Sequence, residues 1–492
     1  MTEAWGLDFQ HEPYREEYYI PEVLGSGVAL FDFDNDGDLD IYLINNAPRS
    51  STEPGAPATG PPPNRMYEQV AAGRFREVTE RSGLGHTGFG MGVAIGDIDN
   101  DGDLDVYLTN VGPDALYRND GEGRFVDITD SAGIGNYRWS CSAGFFDYDR
   151  DGFLDIYVAN YLDAGQEKVC SDRLGKREFC APSGFPGVPD VLYHNNGNGT
   201  FTDVSRSAGI SVVAGKGLGV AFLDFDDDGW IDVYVANDGQ QNQLWQNRKD
   251  STFQDVALIV GAGLNQFGQP EGSMGVAVGD VDNDGDEDLF MTHLFRESNT
   301  LYQNDGTGVF HDATAAARLG RSSLPFTGFG TAFLDYDHDG DLDLVIVNGR
   351  IARGTTRRPG AAQTDFWNDY AEPNLLFENR GGGRFSGDPQ GSAPLVFADI
   401  SERAGRLCSL VEVSRGCAYG DLDQDGDLDL VVTNCKGRAR LFRNDAPKKG
   451  GWLMVRSVDP KLKRDAYGAK VTVVSTAGEF IRTIGAEGSY VS

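Results

Sequence analysis

One nonapeptide pattern, D-x-D-x-D-G-x-x-D, occurs seven times along this chain and limits what it can fold into. The copies are DFDNDGDLD (Asp32 to Asp40), DIDNDGDLD (Asp97 to Asp105), DYDRDGFLD (Asp147 to Asp155), DFDDDGWID (Asp224 to Asp232), DVDNDGDED (Asp280 to Asp288), DYDHDGDLD (Asp335 to Asp343) and DLDQDGDLD (Asp421 to Asp429). Successive copies start 65, 50, 77, 56, 55 and 86 residues apart. Such spacing requires a structural unit repeated as often, each copy burying a face against its neighbours.

The spacing within the pattern carries a chemistry. Positions 1, 3, 5 and 9 are Asp32, Asp34, Asp36 and Asp40 in the first copy, then Asp97, Asp99, Asp101 and Asp105, and Asp147, Asp149, Asp151 and Asp155. They continue as Asp224, Asp226, Asp228 and Asp232, Asp280, Asp282, Asp284 and Asp288, Asp335, Asp337, Asp339 and Asp343, and Asp421, Asp423, Asp425 and Asp429. Four carboxylates in nine residues suit Ca²⁺, a hard cation that takes roughly six to eight oxygens in flexible geometry. The Gly at position 6 allows the sharp turn that brings them together. Position 7 is expected to contribute its backbone carbonyl, which accounts for Phe153 and Trp230 standing where other copies have Asp38, Asp103, Asp286, Asp341 and Asp427. Magnesium fits less well, since it demands a tight octahedron and keeps its waters. The prediction is up to seven Ca²⁺, one per repeat.

An EF-hand opens alike but needs a Glu at position 12 and flanking helices. Here position 12 is Leu43, Leu108, Val158, Val235, Met291, Ile346 or Val432, and the residues after each loop alternate as in Leu39-Asp40-Ile41-Tyr42-Leu43. Each loop therefore reads as a strand-to-strand turn.

A second signature lies between the loops: LYRNDGEGRFVD (Leu116 to Asp127), LYHNNGNGTFTD (Leu192 to Asp203) and LYQNDGTGVFHD (Leu301 to Asp312), with weaker copies at 66–75, 244–255, 375–385 and 441–445. It reads as strand, Asn/Gly turn, strand. One period is then four strands, and four-stranded units repeated radially make a β-propeller. The expected fold is all-β, a seven-bladed propeller over residues 1–446 with a small, incomplete β module over 447–492. The metal loops should share one face, and the long insertions at 45–65, 161–191 and 350–374 should share the other.

These residues resemble a known family. The aspartate loops are similar to the FG-GAP or VCBS repeats of integrin α-subunit propellers, whose loops bind calcium. Combined with the L-Y-x-N-x-G-x-G-x-F-x-D hairpins and the stretch GWLMVRSV…DAYGAKVTVVSTAGEFIRTIGAEGSYVS, the chain more specifically resembles the cartilage acidic protein family with its ASPIC/UnbV tail module. The resemblance implies the propeller and the calcium sites; it implies no molecular activity. Compared with the family pattern, the chain opens inside a blade end at Thr2-Glu3-Ala4-Trp5-Gly6-Leu7, so the strand closing the ring is expected to be largely absent, and both ends read as cut.

Bulk properties bound the partners. The formal charge of -34 resides largely in the loops, and seven Ca²⁺ would bring it to about -20. Nucleic acid does not fit such a surface. No apolar run is long enough to span a bilayer, and no secretion signal is visible at the start. Of six cysteines, Cys170 and Cys180 flank a short polar stretch and are expected to be bridged, Cys408 and Cys417 could pair likewise, and Cys141 and Cys435 give no local clue.

Seven equivalent carboxylate sets read as structural metal ligands, since a glycosidase needs a single pair. His338 is expected to point outward, Asn198-Gly199-Thr200 reads as a turn as readily as a glycosylation sequon, and Lys448-Lys449 as a solvated linker. Loop aromatics and arginines make the insertion face the candidate recognition surface: Tyr14, Arg15, Tyr18 and Tyr19 near the start, Arg138 and Trp139, Phe267, and Arg350, Arg353 and Trp367. Ordinary blade packing explains the same residues. Arg353 and Trp367 are expected to be surface residues whose replacement leaves stability unchanged. The functional expectation is a secreted or periplasmic recognition or adhesion protein for a protein or glycan ligand; the alternative is a carbohydrate-active or cyclising enzyme using the same face.

Overall fold

The computed structural model describes residues 2–12, 18–46, 63–163, 165, 168–354, 365–381, 394–475, 479–485 and 490. They form a seven-bladed β-propeller. In blade two the inner strand Gly90–Gly96 pairs antiparallel with Asp105–Asn110, which pairs with Ala115–Asn119, which pairs with the outer strand Phe125–Asp127. The same order recurs from Val28–Phe31 to Arg74–Glu77 in blade one, and in blades three to six with inner strands Ser140–Phe146, Gly217–Leu223, Val276–Gly279 and Gly328–Leu334. Among the described residues blade seven has three strands only, Ser414–Gly420, Asp429–Asn434 and Arg440–Phe442.

Each second strand is apolar on both sides because it serves two neighbours. Along Asp105–Asn110, Val106 and Leu108 pack with Phe31 and Tyr42 of blade one, whereas Tyr107 packs with Ala143 and Ile156 of blade three. Alternation of side chains across a strand then requires apolar residues at every position. The core is accordingly divided into layers between blades, and the inner strands surround a channel lined by Ala94, Gly144, Phe222 and Ala418.

The ring closes through the start of the chain. Thr2 Oγ1 accepts the backbone N–H of Leu441 at 3.0 Å, as Thr79 does from Met66 at 3.0 Å in blade one and Thr129 from Leu116 at 2.9 Å in blade two. Gly6, at φ 91°, lies so close to the Phe75 carbonyl of blade one that a Cβ would stand 2.2 Å from it. No other residue fits that turn without displacing blade one.

The metal loops join first to second strands on one face, and the insertions leave second strands on the other. In blade three the insertion folds as a ribbon, Cys170–Ser171 against Arg177–Glu178, and Cys170 and Cys180 are bridged with Cα atoms 5.1 Å apart. Cys408 and Cys417 do not pair: both are buried thiols in the apolar layer between blades six and seven, Cys417 on the inner strand itself. Tyr14 and Arg15 lie outside the described residues. No helix among the described residues is long and apolar enough to cross a membrane.

Beyond blade seven the chain crosses the metal-loop face, where Lys470–Val474 and Glu479–Thr483 form a hairpin. Tyr467 and Gly485 line the channel. Tyr490 is fully buried at the channel's opposite end, its hydroxyl donating to the Leu24 carbonyl at 2.7 Å and its ring 4.9 Å from Phe329.

Candidate metal centres and the two faces

Backbone amides fix the aspartate loops in one shape. The carboxylate at position 1 accepts the N–H groups of positions 5 and 6: Asp32 from Asp36 and Gly37, both at 3.0 Å, and Asp280 from Asp284 and Gly285 at 2.9 and 3.1 Å. Position 5 accepts from position 7, as Asp101 does from Asp103 and Asp228 from Trp230, each at 2.9 Å. Besides the glycine at position 6, position 4 is left-handed in every loop, at Asn35, Asn100, Arg150, Asp227, Asn283, His338 and Gln424. Sequence reasoning credited the turn to glycine alone; asparagine at three of these seven positions was the available signal.

This shape converges the side chains. Carboxylate oxygens of Asp32, Asp34 and Asp36 lie within 4.8 Å of one another, as do those of Asp97, Asp99 and Asp101, of Asp147, Asp149 and Asp151, and of Asp224, Asp226 and Asp232. In five loops one oxygen of the position 3 carboxylate is buried without a hydrogen-bond partner: Asp34, Asp226, Asp282, Asp337 and Asp423. A buried, unpartnered carboxylate oxygen is costly unless something positive meets it. Burial, reinforced by neighbouring carboxylates, pushes Asp99 up to about 6 and Asp282 up to about 7. Oxygen-only donors, orphaned anionic oxygens and crowded charge together fit a hard divalent cation.

Position 9 fastens each loop to its blade. Asp105 accepts the Ile98 N–H with one oxygen at 2.9 Å and the Asn119 N–H with the other at 2.8 Å, tying its own loop to the third strand. Asp155, Asp288, Asp343 and Asp429 repeat the arrangement. Burial pushes Asp40, Asp105 and Asp343 up to about 8 and Asp155 and Asp429 up to about 7.

The metal-loop face is covered by the chain's own cations. Lys449 Nζ reaches Asp337 at 2.7 Å, Asp339 at 2.8 Å and Glu378 at 3.0 Å, and Lys448 reaches Asp427 at 2.9 Å. The pair expected to be a solvated linker is therefore held on loops six and seven, drawn by their negative charge. Farther on, Arg464 donates to Asn100 Oδ1 at 2.9 Å and Lys470 to Asp227 at 2.6 Å. His338 also departs from expectation: its side chain is 7% exposed, with Nε2 3.3 Å from Asp427, because the adjacent loop stands beside it.

On the insertion face the recognition candidates fall into three places. Tyr18, Arg353 and Trp367 come together where the insertions of blades three and six meet: Arg353 donates to the Tyr18 hydroxyl, Tyr18 packs edge-on against Phe179 at 5.3 Å, and Trp367 lies 6.3 Å from the same ring. Trp367 is 1% exposed, so the surface placement expected for it is corrected; two insertions packing together make a core. Tyr19, Arg138 and Trp139 border a cleft of about 390 Å³ with Tyr137 and Asp163, Trp139 packing edge-on against Tyr161 at 4.9 Å. Phe267 stands apart on blade five, 77% exposed. Asn198 uses its Oδ1 to accept the Thr200 N–H at 3.1 Å, as turn chemistry predicts.

A further residue class was missed. The asparagine of each L-Y-x-N hairpin sends its side-chain amide into the preceding blade's metal loop, as Asn195 does to the Ile98 carbonyl at 2.8 Å. Its recurrence at one hairpin position was legible, but was read as turn chemistry.

The chain is similar to several known proteins. A family model described as FG-GAP-like repeat matches residues 32–108, 102–158, 179–235, 224–291 and 283–346. Cartilage acidic protein 1 of Mus musculus is 30% identical over 171 residues, 33% of this chain and 25% of the relative. Its counterpart from Homo sapiens is 29% identical over 171 residues, 33% of this chain and 24% of the relative. The match thus spans about a quarter of the length of these relatives. Among solved structures, rhamnogalacturonan lyase YesW aligns at 12% identity and a TM-score of 0.42, over 90% of this chain and 78% of that one.

Proposed function

The chain belongs to the FG-GAP-like repeat family, and from that premise we propose that it is a calcium-stabilised recognition propeller that binds a protein or glycan through its insertion face. The observation that carries the reading is the asymmetry of the two faces. Lys448, Lys449, Arg464 and Lys470 engage the loops of one face, whereas the other presents an open cleft rimmed by Tyr19, Tyr137, Arg138 and Asp163. Tyr137 is 69% exposed beside a guanidinium and a carboxylate, a combination suited to stacking and hydrogen bonding with a sugar or a peptide.

Calcium supplies the scaffold in this reading. Positions 1, 3 and 5 of each loop would hold the ion, and the unpartnered position 3 oxygens support it. The Cys170–Cys180 bridge supports an exported protein, because such bridges persist in oxidising compartments. The residues that cross the metal-loop face would be the ASPIC/UnbV-like module. The test is a glycan and protein array probed with the calcium-loaded chain and with a Tyr137→Ala/Arg138→Ala variant. A ligand that binds both equally, or none on either array, rejects the proposed surface.

A further inference from the structure

In the five loops whose position 3 carboxylate has a buried oxygen without a partner, that oxygen is Oδ1, and in each of them a donor from outside the loop meets Oδ2. Each carboxylate is thus turned by one oxygen so that the other is left for something else. Two arrangements achieve this. In blades four, five and seven the donor is the third residue of the hairpin's Leu-aromatic-x-Asn run: Gln246 donates to Asp226 Oδ2 at 2.7 Å, Gln303 donates to Asp282 Oδ2, and Arg443 Nη1 stands 3.7 Å from Asp423 Oδ2. In blades one and six the same place holds a glutamate, Glu68 or Glu378, and an ionised carboxylate has nothing to donate. A borrowed cation then bridges the two acids. Arg81 Nη2 lies 3.4 Å from both Asp34 and Glu68, and Lys449 Nζ lies 2.7 Å from Asp337 Oδ2 and 3.0 Å from Glu378.

The two cations differ in origin. Arg81 belongs to the turn Thr79–Ser82 that directly follows the outer strand of blade one. Lys449 comes from the segment that leaves blade seven and crosses the metal-loop face, so blade six orients its loop with a residue it does not contain. Taking that ammonium away would leave Asp337 and Glu378, both nearly buried, as neighbouring like charges that repel. Lys449 Nζ also reaches Asp339 Oδ2 at 2.8 Å, which would suit a rival of the ion as well as an aid to it. The oxygen it takes on Asp337 decides between the two: it is the one that Gln246 and Gln303 take in their loops, and an uncharged amide there orients a ligand without competing for the cation.

We propose, on the calcium reading given above, that Lys449 is a positioning residue for the cation site of loop six, so that calcium at that loop and docking of the segment around Lys449 favour each other. The coupling is reciprocal, as any linkage between two binding equilibria must be.

The experiment uses the full chain. Hydrogen exchange of residues 335–343 across a series of free calcium concentrations reads the midpoint of loop six alone, with residues 280–288 of loop five as the reference. Lys449→Ala, at a side chain 46% exposed, should move the loop six midpoint to calcium concentrations at least about tenfold higher, as loss of a group that orients a metal ligand does, and leave loop five where it was. Adding Glu378→Gln should restore most of that loss, because the amide can then hold Asp337 as Gln303 holds Asp282. Calcium should increase protection of residues 446–452 in the wild type and in neither variant. An unmoved loop six midpoint in Lys449→Ala overturns the proposal, and so does one moved to lower calcium, since the lysine would then be competing with the ion. Failure of Glu378→Gln to rescue overturns it too. A wild-type chain in which no loop responds to calcium defeats the calcium reading and this proposal with it, whereas a response at loop five without one at loop six defeats this proposal alone.

Discussion

The side-chain amide of Asn119 in blade two donates to the backbone carbonyl of Phe33 in blade one at 2.9 Å. The same latch joins Asn247 to Tyr148, Asn304 to Phe225 and Asn379 to Val281. Each carbonyl belongs to position 2 of an aspartate loop, so every hairpin steadies the loop of the blade before it. Asn304→Ala should cost about 1–3 kcal/mol, because the Phe225 carbonyl is left buried and unmet. Thermal unfolding checks this, and the loss should add to that of Asn195→Ala, whose site is separate.

Removal of calcium should lower the melting temperature by tens of degrees or unfold the chain. An ion bound only by the native state at a hundred times its dissociation constant contributes about 2.7 kcal/mol per site, and several such sites exceed a typical net stability. Scanning calorimetry with and without chelator decides it: melting points within a couple of degrees of each other would refute the structural role of the ions.

Two classes of aspartate within one loop should separate. Asp97→Asn combined with Asp101→Asn should remove one calcium from the binding stoichiometry measured by titration calorimetry. Asp105→Asn should destabilise the chain even in chelator, because its oxygens accept the Ile98 and Asn119 amides and an amide nitrogen cannot. Equal stability of wild type and Asp105→Asn in chelator would contradict the staple.

Trp367→Ala should destabilise the fold by about 3–5 kcal/mol, as expected for a large buried aromatic. Tyr137→Ala, on an exposed side chain, should stay within about 0.5 kcal/mol. Chemical denaturation of the two variants side by side provides the comparison.

Peptide mapping without reduction should recover Cys170 linked to Cys180. Cys141, Cys408, Cys417 and Cys435 are buried thiols, so a thiol reagent should modify them only after denaturant is added.

The propeller was legible in the sequence because loop geometry and blade packing impose the same residue types on every copy, so seven loops and their hairpins could be aligned against one another. Contacts without periodicity were not legible. Lys449 meets Asp337 across more than a hundred residues, and nothing near either marks the pairing. Trp367 looked like a surface aromatic since it stands in an insertion, and only the arrival of Phe179 from blade three buries it. His338 looked outward until loop seven was placed beside it. The Cys170–Cys180 bridge, by contrast, is local and could be read from ten residues of spacing.

The bond between Thr2 and Leu441 joins the first and last parts of the ring. Because a ribosome releases the chain from its N-terminus, Trp5, Leu7 and Phe9 emerge hundreds of residues before Val431, Ala439 and Leu441, with which they share an apolar cluster. Until then those side chains have no shelter in blade seven, and the nascent chain exposes them while the blades between are made. Chaperone capture of the unfinished chain would act in that interval, and the ring can lock only once Leu441 has been made.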